Sequence, residues 1–207
     1  MTSDRANFFS AYNHLPYFTK EVLRVAANRL GMKAGTFNAY INRSLRDGQI
    51  IHLKRGHYVT RVFYNANKTK ISYLFFMANT LLRPSYISLE TALSYYGMFA
   101  EAVNTITSVT IQLPRKFENR TGLYFYRNIT EKLFTDFMVV KNDFDFVIAL
   151  PHKAVFDYLY YYTKGFTQNV HPHLLEDLRI DTDELSDDDK QKLSACIAVF
   201  TNVKLYL

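Results

Sequence analysis

Residues 33–46 read Lys-Ala-Gly-Thr-Phe-Asn-Ala-Tyr-Ile-Asn-Arg-Ser-Leu-Arg, and this stretch decides how the amino-terminal third of the chain is interpreted. Phe37, Ile41 and Leu45 recur at four-residue steps, which predicts an amphipathic helix with one apolar face. Polar and basic side chains fill most of the other positions, and Asp47-Gly48 supplies a turn at the end. The stretch therefore predicts a short helix that buries one side and exposes a basic, amide-rich side.

The segments on either side of this helix complete a small domain. Residues 17–30 carry a helical pattern, with Thr19 at the cap position and an apolar face formed by Val22, Leu23, Ala26, Ala27 and Leu30. Residues 49–60 predict a short hairpin whose turn is Lys54-Arg55-Gly56. Two helices followed by a hairpin with a basic tip is the order of a winged helix-turn-helix, which places its second helix in the major groove of DNA. We therefore predict a winged helix-turn-helix DNA-binding domain over residues 1–62.

Charge is concentrated in the same part of the chain. The 207 residues have a net charge of +6, and residues 1–62 hold ten Lys and Arg against three Asp and Glu. The first 62 residues therefore carry +7, whereas the other 145 carry −1. This segregation is typical of a module that meets a polyanion, and the alternative is solvated charge with no partner.

The second helix and the hairpin supply the candidate DNA contacts. Asn can pair with adenine and Arg with guanine through two hydrogen bonds each, so we assign Asn38, Asn42 and Arg43 to base edges. A basic hairpin tip reaches phosphates or the neighbouring minor groove. The predicted DNA-binding residues are Lys33, Thr36, Asn38, Asn42, Arg43 and Arg46 on or beside the helix, and Lys54, Arg55 and His57 in the hairpin. Two alternatives stay open: a winged helix used for protein contacts, and arginines that pair with acids elsewhere in the chain.

Residues 66–207 predict a second, mixed α/β domain, which makes the whole chain α+β. Tyr86–Gly97 predicts a helix closed by glycine, and the predicted final helix follows Ser186. Pro151 predicts the start of another helix. Strands are predicted at 106–113, 122–127, 137–140 and 146–150.

Three short motifs resemble a known family. Tyr86-Ile-Ser-Leu-Glu-Thr-Ala-Leu precedes Gly97, an apolar strand runs into Lys153-Ala-Val-Phe-Asp-Tyr-Leu-Tyr160, and Arg55-Gly-His-Tyr58 lies at the predicted wing. Together they resemble the antitoxins of AbiE-type, type IV toxin–antitoxin systems. The resemblance implies an antitoxin-like second domain and a winged helix that binds promoter DNA. It also implies an autorepressor that counteracts a nucleotidyltransferase toxin.

Enzyme and metal chemistry find little support in the sequence. The chain contains no phosphate-binding loop, dinucleotide fingerprint or nucleophile elbow. Asp143 and Asp145 could hold magnesium in a nucleotidyltransferase-like enzyme, but such enzymes carry a Gly-Ser pair that this sequence lacks. His171 and His173 have no third ligand close in sequence. We therefore predict no enzyme, no catalytic residue, no metal and no cofactor. The other alternative is a protein-binding antitoxin whose DNA binding is secondary or absent.

Four smaller predictions concern single features. Lys153 and Asp157 are four residues apart, which allows an ion pair on one helix face. Ser186 and the three aspartates after it predict a capped helix start, with a docking surface for a basic partner as the alternative. Cys196, the only cysteine, lies in an apolar run and is expected to be buried. Because residues 1–7 lack a signal-peptide pattern and no apolar stretch is long enough to span a bilayer, we expect a cytoplasmic protein.

Overall fold

Two sheets and eight α-helices organise residues 8–207, the part of the chain that the computed structural model describes. The mixed content confirms the predicted α+β class. The chain divides into two compact units. The first extends to Leu74 and takes in Phe117–Gly122, and the second comprises Phe75–Lys116 and Leu123–Leu207. The prediction about a signal peptide falls on residues 1–7, which lie outside the described part.

The elements are numbered in chain order. The helices are α1 (Lys20–Arg29), α2 (Ala34–Arg46), α3 (Arg61–Asn67), α4 (Ile71–Leu81), α5 (Leu89–Tyr95), α6 (Pro151–Tyr162), α7 (Leu174–Asp177) and α8 (Asp187–Ala198). The strands are β1 (Phe18–Thr19), β2 (Ile50–Lys54), β3 (His57–Thr60), β4 (Ser85–Ile87), β5 (Ile106–Thr110), β6 (Arg115–Asn119), β7 (Gly122–Asn128), β8 (Phe137–Val140) and β9 (Phe146–Ala149). Short 3₁₀ turns lie at Ser10–Tyr12 and Glu131–Leu133.

Helix α1 begins at a side-chain cap, and helix α2 follows the predicted apolar period. Thr19 caps α1, and its hydroxyl accepts the amide N–H of Val22 at 3.4 Å. Helix α2 buries Phe37 and Ile41, as predicted. The apolar face predicted for α1 is partly wrong, because Leu23 is fully buried but Val22 is 48% exposed. Adjacent residues on a helix point about 100° apart, so a short helix on a small core cannot bury both.

A single aromatic-rich core holds the first unit together. Phe9 stacks on Tyr40 with ring centroids 5.5 Å apart. The hairpin of β2 and β3 forms as predicted, and β1 adds a third strand in which Phe18 lies opposite Tyr58. Two residues are too short to produce a periodic pattern, so the sequence did not predict β1.

The second unit contains most of a six-stranded mixed sheet, of which only residues 117–119 of β6 and Gly122 of β7 are assigned to the first unit. The strand order is β6-β7-β5-β4-β9-β8, in which β5 is parallel to β7 and β4 is parallel to β9. Strands β4 and β5, and likewise β8 and β9, pair antiparallel. Strand β4 and the inner face of α6 supply much of its buried surface.

A buried polar network connects α6 to β4. Lys153 donates to Asp157 at 2.6 Å, and the two side chains are only 4% and 0% exposed. The second carboxylate oxygen of Asp157 accepts the hydroxyls of Tyr86 at 3.0 Å and Ser88 at 2.8 Å. The predicted Lys153–Asp157 pair is therefore confirmed, and it lies in the interior instead of on the surface. Burial is the main influence on Asp157 and raises its pKa, although its three hydrogen-bond donors favour the ionised form.

The predicted helix over Tyr86–Gly97 is wrong at its start. Ser85–Ile87 forms strand β4, and helix α5 begins only at Leu89. Tyr86 and Ile87 are fully buried, and pairing with the neighbouring strands outweighs the local helical pattern. Helix α4 was also not predicted from the sequence. Its buried apolar residues lie on several sides of the helix, so the sequence shows no amphipathic period there.

The remaining local predictions have clear outcomes. The hydroxyl of Ser186 accepts the amide of Asp189 at 3.1 Å, which confirms the predicted cap of α8. Cys196 is only partly buried, so the expectation of full burial is wrong, and burial raises the pKa of its thiol. Over residues 8–207, we find no helix that combines the length and apolarity needed to cross a bilayer.

The Lys153–Asp157 pair predicts a large difference between two acid-to-alanine substitutions. Asp157→Ala should lower the free energy of unfolding by about 3 kcal/mol, because it leaves a buried ammonium without its partner. Asp145→Ala is the control, since it removes a carboxylate that pairs at the surface with Lys141 and should lower the free energy of unfolding far less. Urea denaturation followed by circular dichroism measures both. Equal losses for the two variants would contradict the structural role given to the buried pair.

Candidate nucleic-acid interface

The exposed face of α2 collects the predicted helix residues. Phe37 and Ile41 point into the core, and at about 100° per residue the opposite side of the helix faces solvent. Lys33, Thr36, Asn38, Asn42, Arg43 and Arg46 are all exposed. The structure therefore brings these six predicted residues together on one helix and at its start.

The backbone at the centre of this face is open to close approach. Gly35 and Ala39 lie opposite the buried residues, and both are exposed. A Cβ atom added at Gly35 would meet nothing within 4 Å. Small residues in the middle with amides and arginines around them leave room for another molecule to contact the helix backbone and these side chains together.

The first unit concentrates more positive charge than the sequence division suggested. Its described residues, 8–74 and 117–122, hold twelve Lys and Arg against three Asp and Glu, a net charge of +9. The described residues of the second unit carry −3. Helix α2 contains no carboxylate, and Arg43 and Arg46 form no ion pair with any described residue. The alternative in which these arginines pair with acids elsewhere in the chain therefore finds no support over residues 8–207.

The tip of the β2–β3 hairpin presents its predicted residues in different settings. Arg55 is exposed, whereas Lys54 and His57 are partly buried. Gly56 adopts a φ of +75°, which favours glycine, and its carbonyl accepts the amide of Lys20 at 2.8 Å. This bond anchors the tip to the start of α1.

His57 is unsuited to be a cationic contact at neutral pH. Its ring stacks on Tyr17 with centroids 5.9 Å apart, and its Nδ1 lies 3.2 Å from the carbonyl oxygen of Arg55. Burial lowers the pKa of His57 below its ordinary 6.5, so the ring is neutral near pH 7. Of the three hairpin residues predicted to bind DNA, Arg55 is the exposed cation and His57 a neutral hydrogen-bonding group.

Sequence reasoning missed a distant segment that belongs to the first unit. Phe117–Gly122 joins it although more than fifty residues separate it from β3. Asn119 donates from Nδ2 to the carbonyl oxygen of Leu53 at 2.8 Å, and exposed Arg120 lines a surface depression together with Leu45 and His52. The segment has one acidic and one basic residue, Glu118 and Arg120, and its position depends on tertiary pairing that no local pattern reports.

The alternative enzyme and metal residues are occupied by surface interactions. Asp145 lies in the loop between β8 and β9, where it pairs with Lys141 at 2.5 Å. His171 lies 3.3 Å from Asp177, and His173 lies 3.1 Å from Glu176. Within residues 8–207, we find no group of three or more His, Cys, Asp or Glu side chains arranged to hold a metal ion.

Comparisons with known proteins add no relative: no family model matches the chain, and no curated protein matches it. Membership of the AbiE-type antitoxin family therefore stays a prediction from the three short motifs. Two of these motifs supply the buried network of Tyr86, Ser88, Lys153 and Asp157. This network of buried hydrogen bonds gives those four residues a structural role.

The environment of His57 predicts the sign of a pH effect. Because its folded-state pKa lies below 6.5, protons bind more tightly to the unfolded chain, and stability should fall as the pH drops through 6.5. His57→Gln should reduce this loss. Proton NMR titration of the His57 ring measures the midpoint directly, and thermal denaturation of both proteins between pH 5 and pH 8 measures the linkage. A midpoint above 6.5 would contradict the effect assigned to burial.

Proposed function

We propose that the chain is a sequence-specific, double-stranded-DNA-binding transcription regulator whose first unit is a winged helix-turn-helix. The observation that carries the proposal is the solvent face of α2, where Asn38, Asn42 and Arg43 are exposed on a helix without carboxylates. The net charge of +9 on the same unit supports a polyanionic partner. Three-stranded β1-β3-β2 pairing beside two short helices is compatible with the proposed fold.

In this proposal α2 is the recognition helix. The major groove of B-form DNA is about 12 Å wide and admits an α-helix of about 10–12 Å diameter. Gly35 and Ala39 allow the backbone to come close to the groove floor. Asn38 and Asn42 are one turn apart, so both amides can reach base edges from the same side, and Arg43 reads a neighbouring guanine. Lys33, Thr36 and Arg46 contact the flanking phosphates.

The hairpin tip is the proposed wing. Arg55 and Lys54 supply charge for a phosphate or the adjacent minor groove, and His57 supplies a neutral ring nitrogen. Such contacts add affinity without sequence preference, whereas the contacts of α2 carry the preference. The two parts therefore make separable contributions to binding.

The biological setting that we propose is a cytoplasmic autorepressor that also neutralises a nucleotidyltransferase toxin. The toxin-neutralising part rests on the family resemblance. Co-expression with the product of the adjacent gene tests it: rescue of growth by the full chain supports the antitoxin role, and failure to rescue counts against it. The alternative of a protein-binding antitoxin without DNA binding predicts rescue together with no operator binding.

Substitutions on the two parts should have different effects on DNA binding. Arg43→Ala and Asn42→Ala should each cost about 1–3 kcal/mol on the operator and reduce discrimination against random DNA, because each removes a base contact. Arg55→Ala should weaken binding to operator and random DNA alike. It should also reduce the slope of log binding constant against log salt concentration by about the amount that one phosphate contact contributes. Gel-shift titrations with the upstream promoter region, repeated at several salt concentrations, measure these effects.

Lys132→Ala is the matched control for this experiment. It removes one exposed cation from the second unit and should leave both affinity and salt slope unchanged. A binding constant that does not vary with salt, equal affinity for promoter and random DNA, or equal effects of Arg43→Ala and Lys132→Ala would each refute the proposal.

A further inference from the structure

A small pocket in the second unit is lined in part by Glu90, and one carboxylate oxygen of this residue is buried without a partner from the described residues. Oε2 of Glu90 is shielded from solvent and has no hydrogen-bond partner among the described residues. Buried polar atoms are nearly always paired, and an unpaired acceptor costs about 1–3 kcal/mol. In native proteins, such an atom calls for a specific explanation, and a missing ligand is one.

The walls of the pocket are suited to a small polar ligand. Its volume is about 150 Å³, and it is lined by Leu89, Glu90, Arg127, Tyr158, Tyr161 and Tyr162. All six residues belong to the second unit. Tyr161 donates its hydroxyl to the carbonyl oxygen of Asn128 at 2.6 Å, which fixes one aromatic wall.

The positive charge in the pocket is also without an acidic partner. The guanidinium of Arg127 lies over the ring of Tyr161, 5.3 Å from its centroid, and forms no ion pair with any described residue. Glu90 and Arg127 therefore line one pocket without forming an ion pair with each other. A ligand with donors for the carboxylate and acceptors for the guanidinium would satisfy both.

The backbone beside Glu90 is held in an uncommon conformation. Leu89 has a φ of +60°, a value that residues other than glycine rarely adopt, and Leu89 is 1% exposed. Strain of this kind persists only where the surrounding packing enforces it, and it is concentrated at ligand sites. It fixes where the Glu90 side chain leaves the chain.

From these observations we propose that this pocket binds a compact zwitterion of the α-amino-acid type, with its ammonium on Glu90 and its carboxylate on Arg127. The volume fits glycine or alanine, and the tyrosine rings contact the aliphatic part. The site lies within the second unit, and its proposal does not depend on DNA binding by the first.

The test is a titration of the full chain, labelled on its tyrosine rings, with L-alanine, monitored by NMR. The expected result is a saturable shift of the ring signals of Tyr158, Tyr161 and Tyr162. Ethylammonium, propionate and trimethylglycine are the matched probes: the first lacks the carboxylate, the second lacks the ammonium, and the third lacks N–H donors. Each should bind at least about tenfold more weakly than alanine, since each loses a charge-assisted hydrogen bond.

Two variants assign the contacts. Glu90→Gln should weaken alanine binding about tenfold or more, and Arg127→Gln should weaken alanine but not ethylammonium. Glu131→Gln, an exposed acid on a 3₁₀ turn, should bind alanine as the native chain does. No saturable shift with alanine, or equal affinity for alanine and trimethylglycine in the native chain, would overturn the proposal whether or not the variants fold.

Discussion

The carboxylate of Asp157 is the constraint on which the second unit depends. It has no solvent exposure, so its charge must be matched by donors from the protein itself. Lys153 supplies one from one helical turn away, Tyr86 supplies another from the middle of β4, and Ser88 supplies a third from just after that strand. The position of α6 against the central strand is therefore restricted by hydrogen-bond geometry as well as by apolar packing.

The charged side chains of the first unit are mostly exposed to solvent, unlike the buried carboxylate of Asp157 in the second. A core of aromatic rings from the residues before α1, from α2 and from the three-stranded sheet holds the fold together. Helix α2 packs against that core with one face only, and its opposite face is exposed to solvent. Cations that repel one another on such a surface do not stabilise the unit, and this arrangement supports the anionic partner that we propose.

The sequence predicted those parts of the fold whose signals are local. The cap at Thr19, the period of α2 and the hairpin around Gly56 need only a few neighbouring residues, and all three are confirmed. Predictions failed where distant partners decide the outcome. Strand β4 carries a helical pattern but is paired on both sides, and Phe117–Gly122 joins the first unit through a contact with Leu53. The same limit applies to the site: exposure of the α2 side chains followed from periodicity, whereas the neutral state of His57 depends on Tyr17 and on burial.

Asp157 and Glu90 belong to the two motifs in the second unit that carry the family resemblance, yet the fold treats their carboxylates differently. Three side chains converge on Asp157, whereas Oε2 of Glu90 is buried without any donor among the described residues. Lys153, Tyr86 and Ser88 donate to the first, whereas the second has an oxygen without a donor although three tyrosines line the same pocket as Glu90. An unpaired buried acceptor lowers stability, and in the site that we propose a donor from the bound ligand offsets that cost. Satisfaction of hydrogen bonds, more than motif identity, therefore separates the structural carboxylate of Asp157 from the carboxylate to which we assign a ligand.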